Sequence, residues 1–220
     1  PSAGPGEVLV RTEYVSVDPY LRPLLSNPYR PVDGVVPSDA VGRVVATRHP
    51  AFSRGELVEG MFGWQDYAAA PFYTVRRIDP TIGPASAALG ILGLTGLTAY
   101  FGLFVIGRVA PGETVVVSAA AGAVGSAAVQ LAKLLGCRVI GITGSDEKVR
   151  YLVDDLGIDV AFNYKSGEEW RSQLGVHCPL GVDVYFDNVG GRVSDAVFRC
   201  LNTRARVVVG GQISEYDREI

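Results

Sequence analysis

The sequence predicts an α/β protein in which a doubly wound parallel sheet follows a small β-rich domain. Two observations carry this prediction. Up to about Asp79, apolar residues mostly alternate with polar ones and are interrupted by Gly and Pro, which is typical of short strands joined by turns. From Glu113 onward, short apolar strands alternate with helical patterns, which indicates a parallel sheet covered on both faces.

The β-rich part contains three strand patterns and one turn. The strand patterns are EVLVRTEYVSV, AVGRVVATRH and DYAAAPFYTVRRI, and SRGELVEG is typical of a turn that enters a short strand. The boundary with the second part falls in a glycine-rich apolar run near residues 80–110. We therefore assign residues 1–85 to the β-rich domain and residues 86–220 to the second domain.

The second part supplies five strands and four helices. The strand patterns are TVVVSA, RVIGIT, VAFNY, VDVYFDNV and RVVVGG. The helices are predicted at Val124–Leu135, at Glu147–Leu156, around Glu168–Leu174 and at Ser194–Leu201. Because helices that follow short apolar strands usually connect parallel neighbours, these segments predict one continuous sheet.

Two uncharged stretches could be mistaken for membrane spans. One runs from Pro80 to Gly107, and the other begins at Thr114 and has no charge until Lys133. The length of the first would admit a span. However, it carries six glycines and two prolines, and no basic cluster flanks it on one side. A buried helix is therefore favoured.

The second uncharged stretch contains a candidate phosphate-binding turn. Its strand TVVVSA runs into AGAVG and then into a helix, so that Ala120, Gly122 and Gly125 match the dinucleotide fingerprint with Ala in place of the first glycine. Gly122 would let the backbone approach a pyrophosphate, and Gly125 would let the helix pack against the strand. The alternative is an ordinary tight turn, but the position at the start of the strand–helix alternation favours phosphate binding.

The end of the following strand favours NADP over NAD. An acid at this position would accept hydrogen bonds from the ribose hydroxyls of NAD, but the strand should end near Thr143, where the chain has no acid. A Gly-Ser pair and then Lys148 follow, which suits a 2′-phosphate. Asp146 and Glu147 are evidence against this choice, unless they occupy the first turn of a helix, where acids are favourable.

Composition excludes several other classes of protein. The net charge is −3 and the sequence has no basic tract, so nothing marks a nucleic-acid surface. The three cysteines, Cys137, Cys178 and Cys200, are odd in number and include no close pair. This usage argues against a disulfide framework and suits a reducing, cytoplasmic compartment.

Eight segments in the same order carry a family resemblance over nearly the whole chain. They are VSVDPYLR, GWQDYA, GLTGLTAYFGL, AAAGAVGSAAVQLAKLLGC, GSDEKVRYL, FNYK, VDVYFDNVGG and GGQIS. The chain resembles the prostaglandin reductase and alkenal double-bond reductase family of the medium-chain dehydrogenases/reductases, which includes curcumin-reductase-like enzymes. The resemblance implies a GroES-like β-rich domain followed by a Rossmann domain that binds NADP.

The resemblance also implies a set of cofactor contacts. They are Thr98, the turn residues Gly122, Ala123, Val124 and Gly125, the 2′-phosphate pair Lys148 and Tyr164, the strand-end Asn188, and the loop residues Gly211, Gln212, Ile213, Ser214 and Tyr216. Two of these have plain structural alternatives. Tyr164 could be a half-buried aromatic at a strand end, and Asn188 could form a turn before two glycines.

The resemblance implies a zinc-free member of the superfamily. The β-rich part has His49 and no cysteine, too few ligands for a catalytic zinc site. It also implies that the family continues for about another hundred residues, as suits a two-domain reductase. An expected catalytic tyrosine lies there, so no catalytic residue is assigned in this chain.

The segment LLSNPYRPVDGVVPSDAVGRV looks shorter than the family's equivalent loop. Tyr29, Met61 and Phe62 are candidates for the substrate pocket wall near it, with core packing an equal alternative for Met61 and Phe62.

The implied reaction is reduction of the C=C bond of an enone or enal by NADPH, with hydride added at the β-carbon and hydroxyl donors facing the enolate oxygen. The implied partners are this small-molecule substrate and, for the full-length protein, a second copy of the chain, with no nucleic acid or membrane. Two alternatives remain open at this point: reduction of a quinone, and a non-catalytic NADPH-binding sensor.

Overall fold

The computed structural model describes residues 1–26, 34–167 and 169–216. The chain divides into two compact units, Pro1–Gly93 and Leu94–Ile220. In the described ranges, we find no helix that combines the length and apolar character needed to cross a membrane.

The first unit is built on an antiparallel sheet of five strands. The strands are β1 Glu7–Val15, β2 Ala40–Thr47, β3 Leu57–Gly60, β4 Tyr67–Pro71 and β5 Arg76–Arg77. Their order is β4-β1-β2-β3-β5, so that β1 lies between β2 and β4. A short helix α1 (Leu21–Leu25) and two 3₁₀ segments (Phe72–Thr74 and Ala85–Leu89) complete the unit. The strands predicted at EVLVRTEYVSV, at AVGRVVATRH and after the SRGELVEG turn are confirmed. The pattern DYAAAPFYTVRRI, predicted as one strand, is divided into β4 and β5 by the 3₁₀ segment Phe72–Thr74.

The core of the first unit follows from the period of two along its strands. In β4, Ala68 and Ala70 are buried while Tyr67 and Ala69 are exposed. The buried alanines join Val8, Val10 and other apolar residues in one cluster. Alternation of this kind places one face of β4 on the core. On β2 and β3 the opposite face is buried as well, because Val41 and Leu57 pack with Ala88 in a second cluster.

The second unit is a parallel sheet of five strands covered by helices. The strands are β6 Thr114–Ser118, β7 Arg138–Thr143, β8 Val160–Asn163, β9 Val182–Asp187 and β10 Leu201–Val209. The helices are α2 Leu94–Tyr100, α3 Ala123–Leu134, α4 Asp146–Arg150, α5 Glu169–His177 and α6 Gly191–Phe198. The predicted parallel sheet is confirmed.

The strand order of the second unit is β10-β9-β6-β7-β8. The chain adds β7 and β8 on one side of β6 and then returns to add β9 and β10 on the other side. This reversal leaves a crevice at the carboxyl ends of β6 and β9, which is where doubly wound sheets bind ligands.

Both faces of this sheet are buried. In β6 all five residues are buried, with Val115 and Val117 in one apolar cluster and Val116 in the cluster on the opposite face. The first cluster includes residues of α3, and the second includes residues of α5 and α6. A central parallel strand has no solvent face, which explains its unbroken apolar pattern.

Two predicted helices end in wider turns. The helix predicted at Glu147–Leu156 begins as α4 and continues as a π-helical turn, Tyr151–Asp155. The apolar run before β6 contains a 3₁₀ segment, then α2, then the π-helical turn Phe101–Ile106. Bonds from a residue to the fifth one before it mark these turns, such as Gly107 N to Gly102 O at 2.8 Å.

Candidate functional site

The glycine turn lies at the carboxyl end of the central strand β6. Ala119 adopts a left-handed conformation with φ 48°, and its carbonyl oxygen accepts a hydrogen bond from Gly122 N at 2.9 Å. Ala120 N donates to Ile142 O of β7 at 3.1 Å, which ties the turn to the neighbouring strand. Helix α3 then begins with Gly122 as its N-cap.

The two glycines of the turn differ in the space around them. A Cβ at Gly125 would lie 2.8 Å from Ala120 Cα and closer still to Ala119 O, so the helix can pack against the turn only with glycine there. At Gly122 a Cβ would meet only Ala119 O among the described residues, at 3.1 Å, and the residue is exposed. Gly122 is therefore open towards solvent, while the first amides of α3 have no intrahelical acceptor. This geometry fits an anion.

A buried hydrogen-bond network joins this turn to the end of β9. The Asp187 carboxylate, 2% exposed, accepts hydrogen bonds from the hydroxyls of Ser118, Tyr185 and Ser194, at 3.0, 2.9 and 2.6 Å. It also accepts from Val189 N and Gly190 N, both at 2.9 Å. One carboxylate thereby holds the ends of β6 and β9 and the first turn of α6 together.

The network keeps Asp187 ionised. Burial raises the pKa of this carboxyl, but the hydrogen bonds from Ser194, Gly190 N and Val189 N outweigh burial and hold the pKa below its usual value. Burial raises the pKa of the Tyr185 hydroxyl, which stays protonated and available as a donor. The negative charge at Asp187 is thus satisfied by donors inside the protein.

Asn188 follows directly and is fixed by β6. Its backbone N–H donates to Ser118 Oγ and its side-chain Nδ2 donates to Ser118 O, both at 2.8 Å. These bonds place Asn188 beside the glycine turn at the carboxyl edge of the sheet, where the sequence predicts it. The Nδ2 bond runs to the end of β6, which gives Asn188 a structural role there beside the predicted one.

The loop after β10 lies against the loop after β9. Gly211 N donates to Asp187 O at 3.1 Å, and Ile213 N donates to Asn188 O at 3.4 Å. Ser214 donates to Val189 O through both its N–H (3.0 Å) and its hydroxyl (2.6 Å). Of the other predicted loop residues, Tyr216 has its hydroxyl 3.4 Å from the point that a Cβ would occupy at Gly211. Gln212 is exposed.

The acids after β7 occupy the first turn of α4. Ser145 is the N-cap of this helix, and its Oγ accepts a hydrogen bond from Lys148 N at 3.3 Å. Asp146 and Glu147 follow it in the first turn. Their placement fits the helix dipole, so that they do not argue for a ribose contact. The Lys148 side chain is exposed on the same short helix.

The side chains of Tyr164 and Lys165 lie close to Gly144. A Cβ at Gly144 would lie 3.3 Å from Tyr164 Cε1 and 3.5 Å from Lys165 Cε. The Lys165 ammonium lies 5.7 Å from the centre of the Tyr164 ring. A side chain at position 144 would therefore contact both of these side chains at the end of β7. Lys165 was missed by sequence reasoning, although it stands in the quoted segment FNYK.

A cavity of about 260 Å³ brings two predicted residues, Tyr164 and Ser214, together with Gly190 in the turn that follows Asn188. Its wall also contains Arg171 and Arg192, which the sequence reasoning did not single out. Arg171 stands in the helix predicted around Glu168–Leu174, and Arg192 stands just before the helix predicted at Ser194–Leu201, so that neither belongs to a recognised motif.

The remaining predicted residues lie elsewhere. Thr98 is on α2, where its hydroxyl donates to Leu94 O at 2.7 Å. In the first unit, Phe62 is 3% exposed within the core, as the packing alternative holds, whereas the Met61 side chain is 69% exposed. Tyr29 lies outside the described residues.

In the described part of the chain, we find no group of three or more His, Cys, Asp or Glu side chains arranged to hold a metal ion. The three cysteines are free thiols in the second unit, with Cys137 and Cys178 buried. Burial raises the pKa of the Cys178 thiol to about 11.

Comparison with known proteins identifies both parts of the chain. A family described as the N-terminal domain of oxidoreductase matches residues 1–78, and one described as zinc-binding dehydrogenase matches residues 123–218. A Bacillus subtilis protein named as an NADP-dependent oxidoreductase is 50% identical over the whole chain and 66% of its own length. The NADPH-dependent curcumin reductase of Escherichia coli is 43% identical over 97% of this chain and 63% of its own length.

A mammalian relative and a solved structure agree with these matches. Prostaglandin reductase 1 of Mus musculus is 45% identical over 99% of this chain and 66% of its own length. The crystal structure of CurA from Vibrio vulnificus in complex with NADPH superposes with a TM-score of 0.90, at 42% identity over 98% of this chain and 65% of that one. The chain thus spans about two thirds of the length of the relatives it matches. It belongs to the family of medium-chain dehydrogenases/reductases that contains the curcumin and prostaglandin reductases.

Proposed function

We propose that the protein is an NADPH-dependent reductase of the C=C bond of α,β-unsaturated ketones and aldehydes. The observation that carries the proposal is the open Gly122 turn at the reversal of the strand order, where β6 and β9 end side by side. A parallel sheet with this reversal and this turn offers backbone amides to a pyrophosphate. NADPH bound there would supply a hydride to the β-carbon of the substrate.

Most of the predicted residues then have a physical role toward the cofactor. The amides of Ala123, Val124 and Gly125 would face the pyrophosphate at the start of α3. Lys148 and Tyr164 would bind the 2′-phosphate. Asn188 and the loop from Gly211 to Tyr216 would line the nicotinamide half. The buried Asp187 holds that region in place without facing the cofactor.

The substrate class rests on similarity. The names of two relatives of 43 and 45% identity describe a curcumin reductase and a prostaglandin reductase. Of the pocket-wall candidates Met61 and Phe62, Met61 is the better placed because its side chain is exposed. We also propose a homodimer, from the family resemblance, and a cytoplasmic location, which free thiols suit. Sedimentation and fractionation would check these two points.

A matched pair of glycine variants tests cofactor binding. Gly122→Val adds a side chain on the open side of the turn, whereas Gly175→Val makes the same change in α5, where an added Cβ meets nothing within 4 Å. We expect Gly122→Val to abolish NADPH binding in a fluorescence titration while thermal unfolding stays cooperative, and Gly175→Val to bind normally. Unchanged binding by Gly122→Val would mean that the stretch is only a turn.

Product analysis tests the reaction. The protein is incubated with NADPH and an enone, an enal or a quinone, and the products are identified by mass spectrometry. A saturated ketone or aldehyde supports the proposal. A hydroquinone alone supports quinone reduction instead, and tight NADPH binding without turnover supports a sensor.

A further inference from the structure

We propose that Lys165 and Asn163 set the preference for NADPH over NADH, a role that rests on the proposed function. Lys165 would supply a second cation to the 2′-phosphate, and Asn163 would act as a positioning residue that holds Asp146 and Lys165 in place. Both residues lie at the end of β8, beside the end of β7.

The position of Lys165 follows from the packing over Gly144. The Lys165 Cε and the Tyr164 ring both come within 3.5 Å of the Cβ position of this glycine. In NAD-binding relatives of this fold class, an acid near this strand end contacts the ribose hydroxyls. Here the same space is covered by a cation and an aromatic hydroxyl, which are groups that bind a phosphate.

Asn163 acts as a clamp between two neighbouring segments. Its Nδ2 donates to Asp146 Oδ1 at 2.7 Å, while its Oδ1 accepts from Lys165 N at 3.0 Å. One side chain thereby fixes the acid at the start of α4 and the backbone of the cation at the end of β8.

The clamp matters because Asp146 is the acid nearest along the chain to Gly144. A carboxylate free to turn toward the ribose would accept hydrogen bonds from NADH and repel the 2′-phosphate of NADPH. When Asn163 holds the Asp146 carboxylate, this carboxylate neither accepts hydrogen bonds from NADH nor repels the 2′-phosphate of NADPH. The neutral amide therefore separates the Asp146 carboxylate, which would favour NADH, from the cations that favour NADPH.

The first test measures the contribution of Lys165. The chain contains three lysines, and Lys133 is a matched control because it pairs with Asp159 at the opposite, amino end of β8. Binding of 2′,5′-ADP and 5′-AMP is measured by calorimetry for wild type, Lys165→Ala and Lys133→Ala. We expect Lys165→Ala to weaken 2′,5′-ADP about tenfold, with 5′-AMP unchanged, as for loss of a charge-assisted contact.

Lys133→Ala should leave both affinities as they are in wild type. The effect of Lys165→Ala should also shrink as salt is added, since an exposed charge pair is screened. Equal weakening of both nucleotides by Lys165→Ala, or no weakening of either, would overturn the role of Lys165.

The second test measures the clamp. Asn163→Ala frees Asp146 and should lower the ratio of NADPH to NADH affinity about threefold or more, as expected for an exposed charge. Adding Asp146→Asn to Asn163→Ala should restore the ratio, and Asp146→Asn alone should change it little. A purely structural role for Asn163 would not be rescued by neutralising Asp146, and absence of rescue would refute the clamp.

Wild type separates this inference from the proposed function. If wild type binds neither NADPH nor 2′,5′-ADP, the proposed function itself is wrong. If wild type prefers 2′,5′-ADP to 5′-AMP but neither Lys165→Ala nor Asn163→Ala changes that preference, only the present inference is wrong.

Discussion

The Asp187 carboxylate connects the two strand ends that border the proposed cofactor site. Its five donors come from β6, from β9 itself, from the following loop and from α6. A buried charge is tolerated only when donors replace its lost water, and here every donor also fixes a piece of the site. The stability of the second unit and the geometry of the proposed cofactor site therefore both depend on the Asp187 carboxylate.

Asp187→Asn should destabilise the second unit. The amide would direct an N–H group at donors, so that hydrogen bonds to a charged acceptor are lost at a cost of about 1.5–3 kcal/mol. Urea unfolding measures the difference. Asp195→Asn, an exposed change on α6, is the control and should alter the unfolding free energy little. Equal stability of the two variants would contradict the role given to the network.

The network also predicts a pH dependence. Because the pKa of Asp187 is lower in the folded protein than in the unfolded chain, its contribution is fully present above the unfolded value of about 3.9 and is lost as pH falls through the folded value. The urea midpoint should therefore fall more steeply below about pH 5 in wild type than in Asp187→Asn. Parallel profiles would show that Asp187 does not titrate with a lowered pKa.

Lys148→Ala should weaken NADPH selectively. Removal of a charge-assisted contact with the 2′-phosphate should cost about 1–3 kcal/mol, while NADH affinity stays the same. Titrations of both cofactors measure this. Arg150→Ala on the same helix is the control for a change of charge alone. Equal losses for both cofactors would point to damage to α4 instead.

At the residue scale, the sequence predicted those site residues whose roles follow from their spacing along the chain. Lys148 follows from its spacing after β7, and Gly125 from its spacing in the turn. Lys165 and the Asn163 clamp join β7 to β8 across a full helix, and no local pattern records that contact. Asp187 stood within a quoted segment, but only the fold shows that donors from three other elements converge on it.

Among the elements, the turn before α3 leaves no room for a side chain at Gly125. Gly125→Ala would place a methyl group within 2.8 Å of Ala120 Cα, and overpacking against backbone should cost about 1–3 kcal/mol. Gly175→Ala in α5 meets open space and should stabilise the protein by up to about 1 kcal/mol, since alanine favours helix. Thermal unfolding of both variants should give shifts of opposite sign. A shift of the same sign in both would mean that the turn can relax.

The strands were predictable and the ends of the helices less so. Strands of this sheet are short apolar runs between turn residues. Such runs can be recognised in the sequence without knowing how the neighbouring helices pack. The π-helical turns at Phe101–Ile106 and Tyr151–Asp155 depend instead on tertiary packing. At Gly102 a Cβ would lie within 2.8 Å of the Phe186 ring, a contact that periodicity along the helix does not reveal.

On the scale of the whole molecule, the distribution of metal ligands predicts independence from zinc. The first unit has no cysteine and one histidine, His49, which is too few soft ligands for a closed or catalytic zinc site. Dialysis of the protein against a chelator should leave the proposed enone reduction unchanged, and elemental analysis should find less than one zinc per chain. Activity lost on dialysis and restored by zinc would overturn this prediction.

The central position of β6 has a consequence for synthesis on the ribosome. A nascent chain that has reached Thr143 can pair β6 with β7, but the other neighbour, β9, ends only at Asp187. At typical elongation rates this interval lasts about several seconds. Throughout it, a strand whose five residues are all buried in the finished fold presents an open apolar edge. Chaperone occupancy of nascent chains should therefore peak between the emergence of β7 and that of β9.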